Sequence, residues 1–300
     1  MIGSRGIVLL NALVLVAALA GATALLLARA ERQRVMQAET NEAAQLRLYL
    51  GAYEALAIRL LTEPGPVDHP GEAWAEAARN VTLDRGGVSG RIVDLQGRLN
   101  VNWLTNPEDA WARDAFERLA ARIGVPQSAI RAIAQAVSPE GAPPGPFARR
   151  APPEAPPAGP VLMLEQLEGL PALASRDYAR LRPFVAALPG SSALNLNTAP
   201  AEVLRAALPG LPEGRIAEIV ATRQRDPFTA VDAALASFGA AGAELDETRF
   251  AVGSTWFRAE ISASLPGRRR SRVAVLERQP LPRGVRVAYR LDDAPRPPAP

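Results

Sequence analysis

One histidine, His69, and no cysteine stand among 300 residues, so most side chains that ordinarily carry nucleophilic or metal chemistry are missing. A lone histidine in a proline-rich turn supplies neither a zinc triad nor a nucleophile and base. Gly86 and Gly87, with Gly90 behind them, lack the following helix that a phosphate-cradling glycine loop needs. The 31 carboxylates include no pair whose spacing singles it out as a general acid and base. The expectation is therefore a protein that is not an enzyme and has no catalytic residues. Two other features remain to be read: the segment at the beginning of the chain, and a glycine-bearing turn between predicted helices.

The first of these depends on an apolar run. Residues 7–28 hold only Asn11 and Thr23 as polar interruptions, and as a helix they reach about 33 Å, enough to cross a hydrocarbon core of roughly 30 Å. A secretory signal has an apolar region of about 7 to 15 residues, so this one reads as a membrane span over 7–29, although Ala28-Arg29-Ala30 has the small-x-small form of a signal cleavage site. Arg5 on one side and Arg29, Arg32 and Arg34 on the other leave orientation unsettled by charge. A basic leader ending in Gly6, an aliphatic Ile7 and then the apolar helix resemble type IV prepilins and pseudopilins. That resemblance implies cleavage after Gly6 by a prepilin peptidase on the cytoplasmic side, and Ile7 as a methylated first mature residue. Residues 1–6 would be the leader, and the remainder would face the periplasm.

Asn11 occupies the fifth mature position, where the resembled pilins carry Glu. There a carboxylate offsets its cost in the bilayer by pairing with the terminal ammonium of the subunit ahead, and Asn cannot neutralise that ammonium. A subunit with no subunit ahead of it has no need of the carboxylate, which suits the tip of a filament. The alternative reading of Asn11 is drift at one position, or an interhelical amide hydrogen bond.

Beyond the span, Leu46, Tyr49, Leu50, Tyr53, Leu56, Ala57 and Leu60 recur at three and four, while Arg47, Glu54 and Arg59 fall elsewhere. One long helix over 7–61 follows, ended by Pro64-Gly65-Pro66. Residues 86–104 read as a hairpin turning at Gln96-Gly97, with Asp94, Asn100 and Asn102 as loop residues that bond their own backbone. Asn106, Pro107 and Glu108 start a helical stretch to about 137, broken at Gly124-Val125-Pro126. A Pro- and Ala-dense linker at 139–160 offers nothing for a packed core. Two short helices follow, and then Thr198 as a cap with Glu202 in the first turn, closing a small core of Leu204, Leu208, Ile216, Ile219, Val220 and Phe228. Alternation returns at 256–262, 272–276 and 285–289, before a charged, Pro-rich tail at 292–300 expected to be disordered.

The string DLQGRLNVNWL at 94–104 and the LNLNTAP string at 194–200 resemble K-type minor pseudopilins of type II secretion, and the resemblance extends over nearly all of the chain. It implies an α+β pseudopilin fold: residues 30–106 as long helix and first strands, 107–249 as an inserted helical domain, and 250–291 as the returning strands of an antiparallel sheet. It further implies membership of the pseudopilus tip, with I-type and J-type minor pseudopilins as partners, prepilin peptidase as processing enzyme, and secreted substrate as a further contact. Calcium enters only through this resemblance. The expected acidic cluster is depleted around residues 137–140, and calcium needs six to eight oxygen ligands.

Residues 194–235 also resemble a helix-hairpin-helix module, which implies the rival function, a membrane-anchored DNA-binding protein. Such a hairpin offers backbone N–H groups to a phosphate. Here the hairpin at 208–214 has Pro212 without an N–H and Glu213 where the phosphate would approach, leaving Arg215, Arg223 and Arg225 as backbone contacts. Acidic and basic residues are nearly balanced at 31 and 34, so composition gives little ground for nucleic acid.

Overall fold

The computed structural model of the protein describes residues 3–62, 65, 67–76, 79–280 and 282–292, with side chains from Leu9 onward. The first helix, α1 (Gly3–Thr62), runs unbroken for 60 residues, about 90 Å. Every described side chain on it is exposed up to residue 41, and its first buried residue is Leu46. From there Leu46, Leu50, Tyr53, Ala57 and Leu61 form the buried stripe that three-and-four spacing requires. Glu54 departs from the expectation. It is 7% exposed, because Arg290 donates to both its oxygens at 2.7 and 2.8 Å and Arg272 stands 3.6 Å away. The proline break expected at 64–66 and the tail at 293–300 lie outside the described residues, Gly65 apart.

After α1 come β1 (Arg79–Leu83), β2 (Gly86–Asp94) and β3 (Leu99–Asn100), then α2 (Ala110–Ile123), α3 (Gln127–Val137), α4 (Pro144–Ala148) and α5 (Ser175–Leu181). Next are β4 (Val185–Ala186), β5 (Leu194–Asn195), α6 (Ala201–Ala207), α7 (Glu213–Thr222), α8 (Val231–Ser237), α9 (Ala240–Ala243) and β6 (Phe250–Ala251). The chain ends with β7 (Trp256–Leu265), β8 (Arg268–Arg278) and β9 (Val285–Asp292). Five strands form one antiparallel sheet in the order β1-β2-β7-β8-β9. Strands β2 and β7 are neighbours although 161 residues separate Asp94 from Trp256 in the chain, so everything between them is an excursion from the sheet.

α1 lies across one face of that sheet, against Val88, Ile92, Phe257, Ile261 and Leu276. Gly90 permits the contact: a Cβ there would stand 2.6 Å from the Tyr53 ring and 2.8 Å from the Glu260 carbonyl oxygen. The hairpin expected over 86–104 is not formed. β2 pairs with β1, and the residues after Gln96-Gly97 instead make β3, which runs parallel to β4. The polar sequence of β1, RNVTL, carries little strand pattern, and its partner is supplied by a turn at Asp84-Arg85.

The excursion has its own core, separate from that under α1, running from Leu99 to Phe250. Helix α2 starts three residues later than Asn106 suggests: Asp109 is its cap, accepting from the Ala112 N–H at 3.0 Å, while Asn106 accepts from the Glu108 N–H. Gly124, at φ 69°, ends it in the left-handed conformation that glycine adopts without penalty. The Pro-rich linker corrects another expectation. Phe147 is 4% exposed, and Ala142 and Val161 join the same core. Backbone bonds Ala142 N–H to Pro157 O and Gly159 N–H to Ser138 O, at 2.9 and 2.8 Å, close the segment into a loop. A few apolar anchors hold a sequence whose average composition argues for disorder.

Candidate assembly site

Two regions stand out: the exposed half of α1, and the joint where the excursion leaves and rejoins the sheet. On α1, a window of mean hydropathy 2.3 lies within Leu9–Thr62 with none of it buried, long and apolar enough to cross a membrane. Leu9, Leu13 and Leu27 are 75%, 69% and 72% exposed, an arrangement that water disfavours and lipid or partner helices would satisfy. Asn11 lies on this exposed stretch. Gly6 and Ile7 lie in the first turns of α1, and their side chains are outside the described residues.

The helix docks in a fixed direction. Glu39 and Glu42 meet Arg268 at the β7–β8 turn, at 3.1 and 2.9 Å. Leu61 and Trp74, after the other end of the buried stripe, share a cluster with Phe257, opposite Asp94. The β7–β8 turn therefore faces the apolar half of α1, and the excursion starts at the opposite, distal end.

A buried polar cluster clamps that distal joint. The Asp94 carboxylate accepts from Ser254 Oγ at 2.6 Å, Thr198 Oγ1 at 2.5 Å, Asn195 Nδ2 at 3.1 Å and the Gln96 N–H at 2.7 Å. Asp68 accepts from the Ser254 N–H at 2.6 Å and from Arg278. Asn195, fully buried, also donates to Asp68 O and Ser254 Oγ. Five separate segments thus meet at one point: the loop after α1, the end of β2, the excursion, the return to β7 and the end of β8. Asp94 is not the solvated loop residue that its turn-forming type suggests, and Thr198 spends its hydroxyl on Asp94 rather than capping α6.

Asn195 belongs to a pattern. Leu99-Asn100-Val101-Asn102 and Leu194-Asn195-Leu196-Asn197 repeat one device. In each, the first Asn accepts from the N–H of the second, at 3.1 and 2.9 Å. The second Asn then grips a distant peptide from both sides: Asn102 bonds the N–H and carbonyl of Val161, and Asn197 those of Phe228. Each repeat opens a two-residue parallel strand pair, β3 with β4 and β5 with β6. Asn100 and Asn102 are therefore buried organisers, not loop residues. The duplicated Leu-Asn-x-Asn string was the available sign of Asn195 and Asn197; Asp68, Ser254 and Arg278 carry none, since their partners are remote in the chain.

Burial pushes Asp94 up to about 6, against the hydrogen bonds from Ser254, Thr198 and the Gln96 N–H that favour its charged form; the nearby Asp68 charge raises it further. Between its ordinary value near 4 and about 6 the folded chain binds this proton more readily than the unfolded chain, so stability falls as pH rises through that window and levels above it. The expected result is a urea midpoint that increases from pH 7 to pH 5, equivalent to about 1 kcal/mol, with that increment absent from Asp94→Asn.

The helix-hairpin-helix reading meets three obstacles. α7 begins after Pro212, and Glu213 is already paired with Arg122 and Arg205 at 3.0 and 2.7 Å. Arg223, one of the three arginines available to a phosphate, is instead buried, donating to the Leu196 and Ala199 carbonyls; burial lowers it to about 10. Arg215 is paired with Glu218 at 2.6 Å. The residues around 137–140 do not fit a calcium ion, since Glu140 is the one carboxylate there and it is exposed. Among the described residues no group of three or more His, Asp or Glu side chains is arranged to hold a metal.

Comparison with known proteins agrees with this architecture. Two family models described as type II secretion system, protein K, match residues 97–190 and 194–253. Each opens close to one copy of the Leu-Asn-x-Asn device. Type II secretion system protein K of Pseudomonas aeruginosa is 31% identical over 227 residues, 71% of this chain and 68% of that protein. A chain from the crystal structure of the GspK-GspI-GspJ complex of enterotoxigenic Escherichia coli has the same fold, with TM-score 0.68 at 20% identity over 88% of this chain and 99% of that one.

Proposed function

The chain belongs to the type II secretion system protein K family, a minor pseudopilin, and from that premise we propose that it forms the tip of the pseudopilus. The observation that carries this reading is the placement of the excursion at the distal end of α1, where a further subunit would stack. Helical pseudopilins add to one another through their long first helices, and a broad domain over that end leaves no room for a subunit above. Asn11 fits the same position, having no ammonium ahead to neutralise.

In this reading α1 anchors the chain once in the cytoplasmic membrane, with the globular part in the periplasm. A prepilin peptidase removes the leader after Gly6, leaving Ile7 as the first mature residue. GspK, GspI and GspJ of enterotoxigenic Escherichia coli form one complex, and by the same logic the apolar half of α1 packs here with the helices of I-type and J-type minor pseudopilins. Addition of subunits below then lifts the tip toward exported protein. The work is assembly, not catalysis.

Co-expression of the full chain with I-type and J-type partners from the same secretion system, followed by detergent extraction, tests this. A ternary complex containing a chain whose mass begins at Ile7 is expected. Recovery of this chain as a monomer at micromolar concentration would contradict it.

A further inference from the structure

Beyond partner helices, the fold turns an arginine-bearing edge toward the bilayer. Register places Gly87 opposite Ser264 and Leu265 opposite Arg268, so the Asp84-Arg85 turn and the Pro266-Gly267 turn lie side by side. Glu39 and Glu42 hold that edge to α1 through Arg268. Arg268 is thereby neutralised, but Arg269 and Arg270 follow it directly. Arg269 donates to Ser262 Oγ at 2.6 Å, and Arg270 has no ion pair within 4 Å among the described residues, its charge acting at longer range on Asp292. Arg85 is exposed on the adjacent turn beside the exposed Asp84, and Arg29, Arg32 and Arg34 stud the helix below, with Glu31 at 4.0 Å from Arg34.

Helix geometry sets the height of this edge. Residue 28 ends the apolar run, and Glu39 is eleven residues further on, about 16 Å along the axis. The headgroup region extends roughly 6 Å beyond each side of the hydrocarbon core. The remaining gap is about 10 Å, comparable to the Debye length near physiological salt, and the edge that bounds it carries Arg85, Arg269 and Arg270. Leu265 is buried and Pro266 and Gly267 form the tip, so the edge has no apolar wedge with which to insert. Its chemistry is that of a surface contact with negative charge.

We propose that Arg85, Arg269 and Arg270, with the helix arginines beneath them, form a seat for anionic phospholipid headgroups. The seat holds the globular part against the bilayer until subunits added below raise it. This rests on the reading of α1 as a membrane span. The contact is electrostatic and reversible, as extraction from the bilayer during assembly requires.

The chain has no cysteine, so Ser264→Cys, beside Arg269, and Leu19→Cys, within the span, each take a single fluorescent label in the full-length protein. The labelled chains are reconstituted into vesicles of phosphatidylcholine alone or with phosphatidylglycerol, each carrying a headgroup or an acyl-chain spin-labelled lipid. The Ser264 label should be quenched from the headgroups in the phosphatidylglycerol vesicles. That quenching should be lost in phosphatidylcholine, at high salt, and in Arg269→Gln/Arg270→Gln. Equal quenching in both lipids, or quenching unmoved by the double variant, would overturn the proposal, as it would if a partner protein rather than lipid were the occupant. The Leu19 label separates the two claims: without acyl-chain quenching there, the span itself fails and the seat with it, whereas quenched Leu19 beside an unresponsive Ser264 sinks the seat alone.

Discussion

Replacing Asn195 by alanine should cost about 4 kcal/mol of stability, the sum expected when several buried polar groups lose their partner at roughly 1 to 3 kcal/mol each. The side chain is fully buried and joins Asp68, Asp94, Ser254 and Asn197, none of which can reach water when it is removed. Because those partners lie on different segments, the loss falls on the joint between sheet and excursion. Thr198→Val, which removes one bond to Asp94 and keeps the shape, should cost only about 1 to 2 kcal/mol. Urea unfolding of the two variants compares them directly. Equal, small effects would mean that the joint is not held by this cluster.

Gly90→Val should separate α1 from the sheet while leaving the excursion folded. A Cβ at Gly90 would sit inside the contact distance of the Tyr53 ring and of the Glu260 carbonyl, and valine adds two more methyls at that point. The backbone oxygen cannot move without breaking the β2–β7 pairing, so the helix must yield, at a cost of about 3 kcal/mol or more. Hydrogen exchange should accelerate over residues 46–61, with 110–137 unchanged because that core is separate. Tyr53→Ala in the same chain should restore part of the protection, since it removes one of the two obstacles. Uniform acceleration across both regions would show that the two cores unfold as one.

Local pattern explains which parts of this architecture were legible in the amino-acid order. α1 announces itself by its apolar run and then by three-and-four spacing, both of which depend on neighbours within two turns. β9 alternates cleanly and β7 and β8 in part, each with three consecutive buried residues, and their short turns keep partners close in sequence. What escaped depends on distant partners. Glu54 reads as a solvent-facing acid until Arg272 and Arg290, more than 200 residues later, arrive beside it. The 86–104 stretch has the residues of a hairpin, but its second half finds Val185 and Ala186 instead. Phe147 lies in a segment whose Pro and Ala content signals disorder, and one aromatic ring with two small anchors outweighs that average. At the joint, Asp94 and Thr198 were visible as turn and cap residues by type, and the same hydrogen-bonding capacity was used on each other. The exposed half of α1 was legible from its unbroken apolar run, and none of the described residues covers it.

Occupancy of the tip by this chain can be seen directly. Glu140, exposed on the excursion, can be replaced by cysteine as the single thiol and coupled to gold in pseudopili assembled with the chain's own secretion partners. Electron microscopy should then show one gold particle at one end of each filament. Particles distributed along the shaft would contradict it, because a subunit whose distal end is covered by the excursion cannot have another above it.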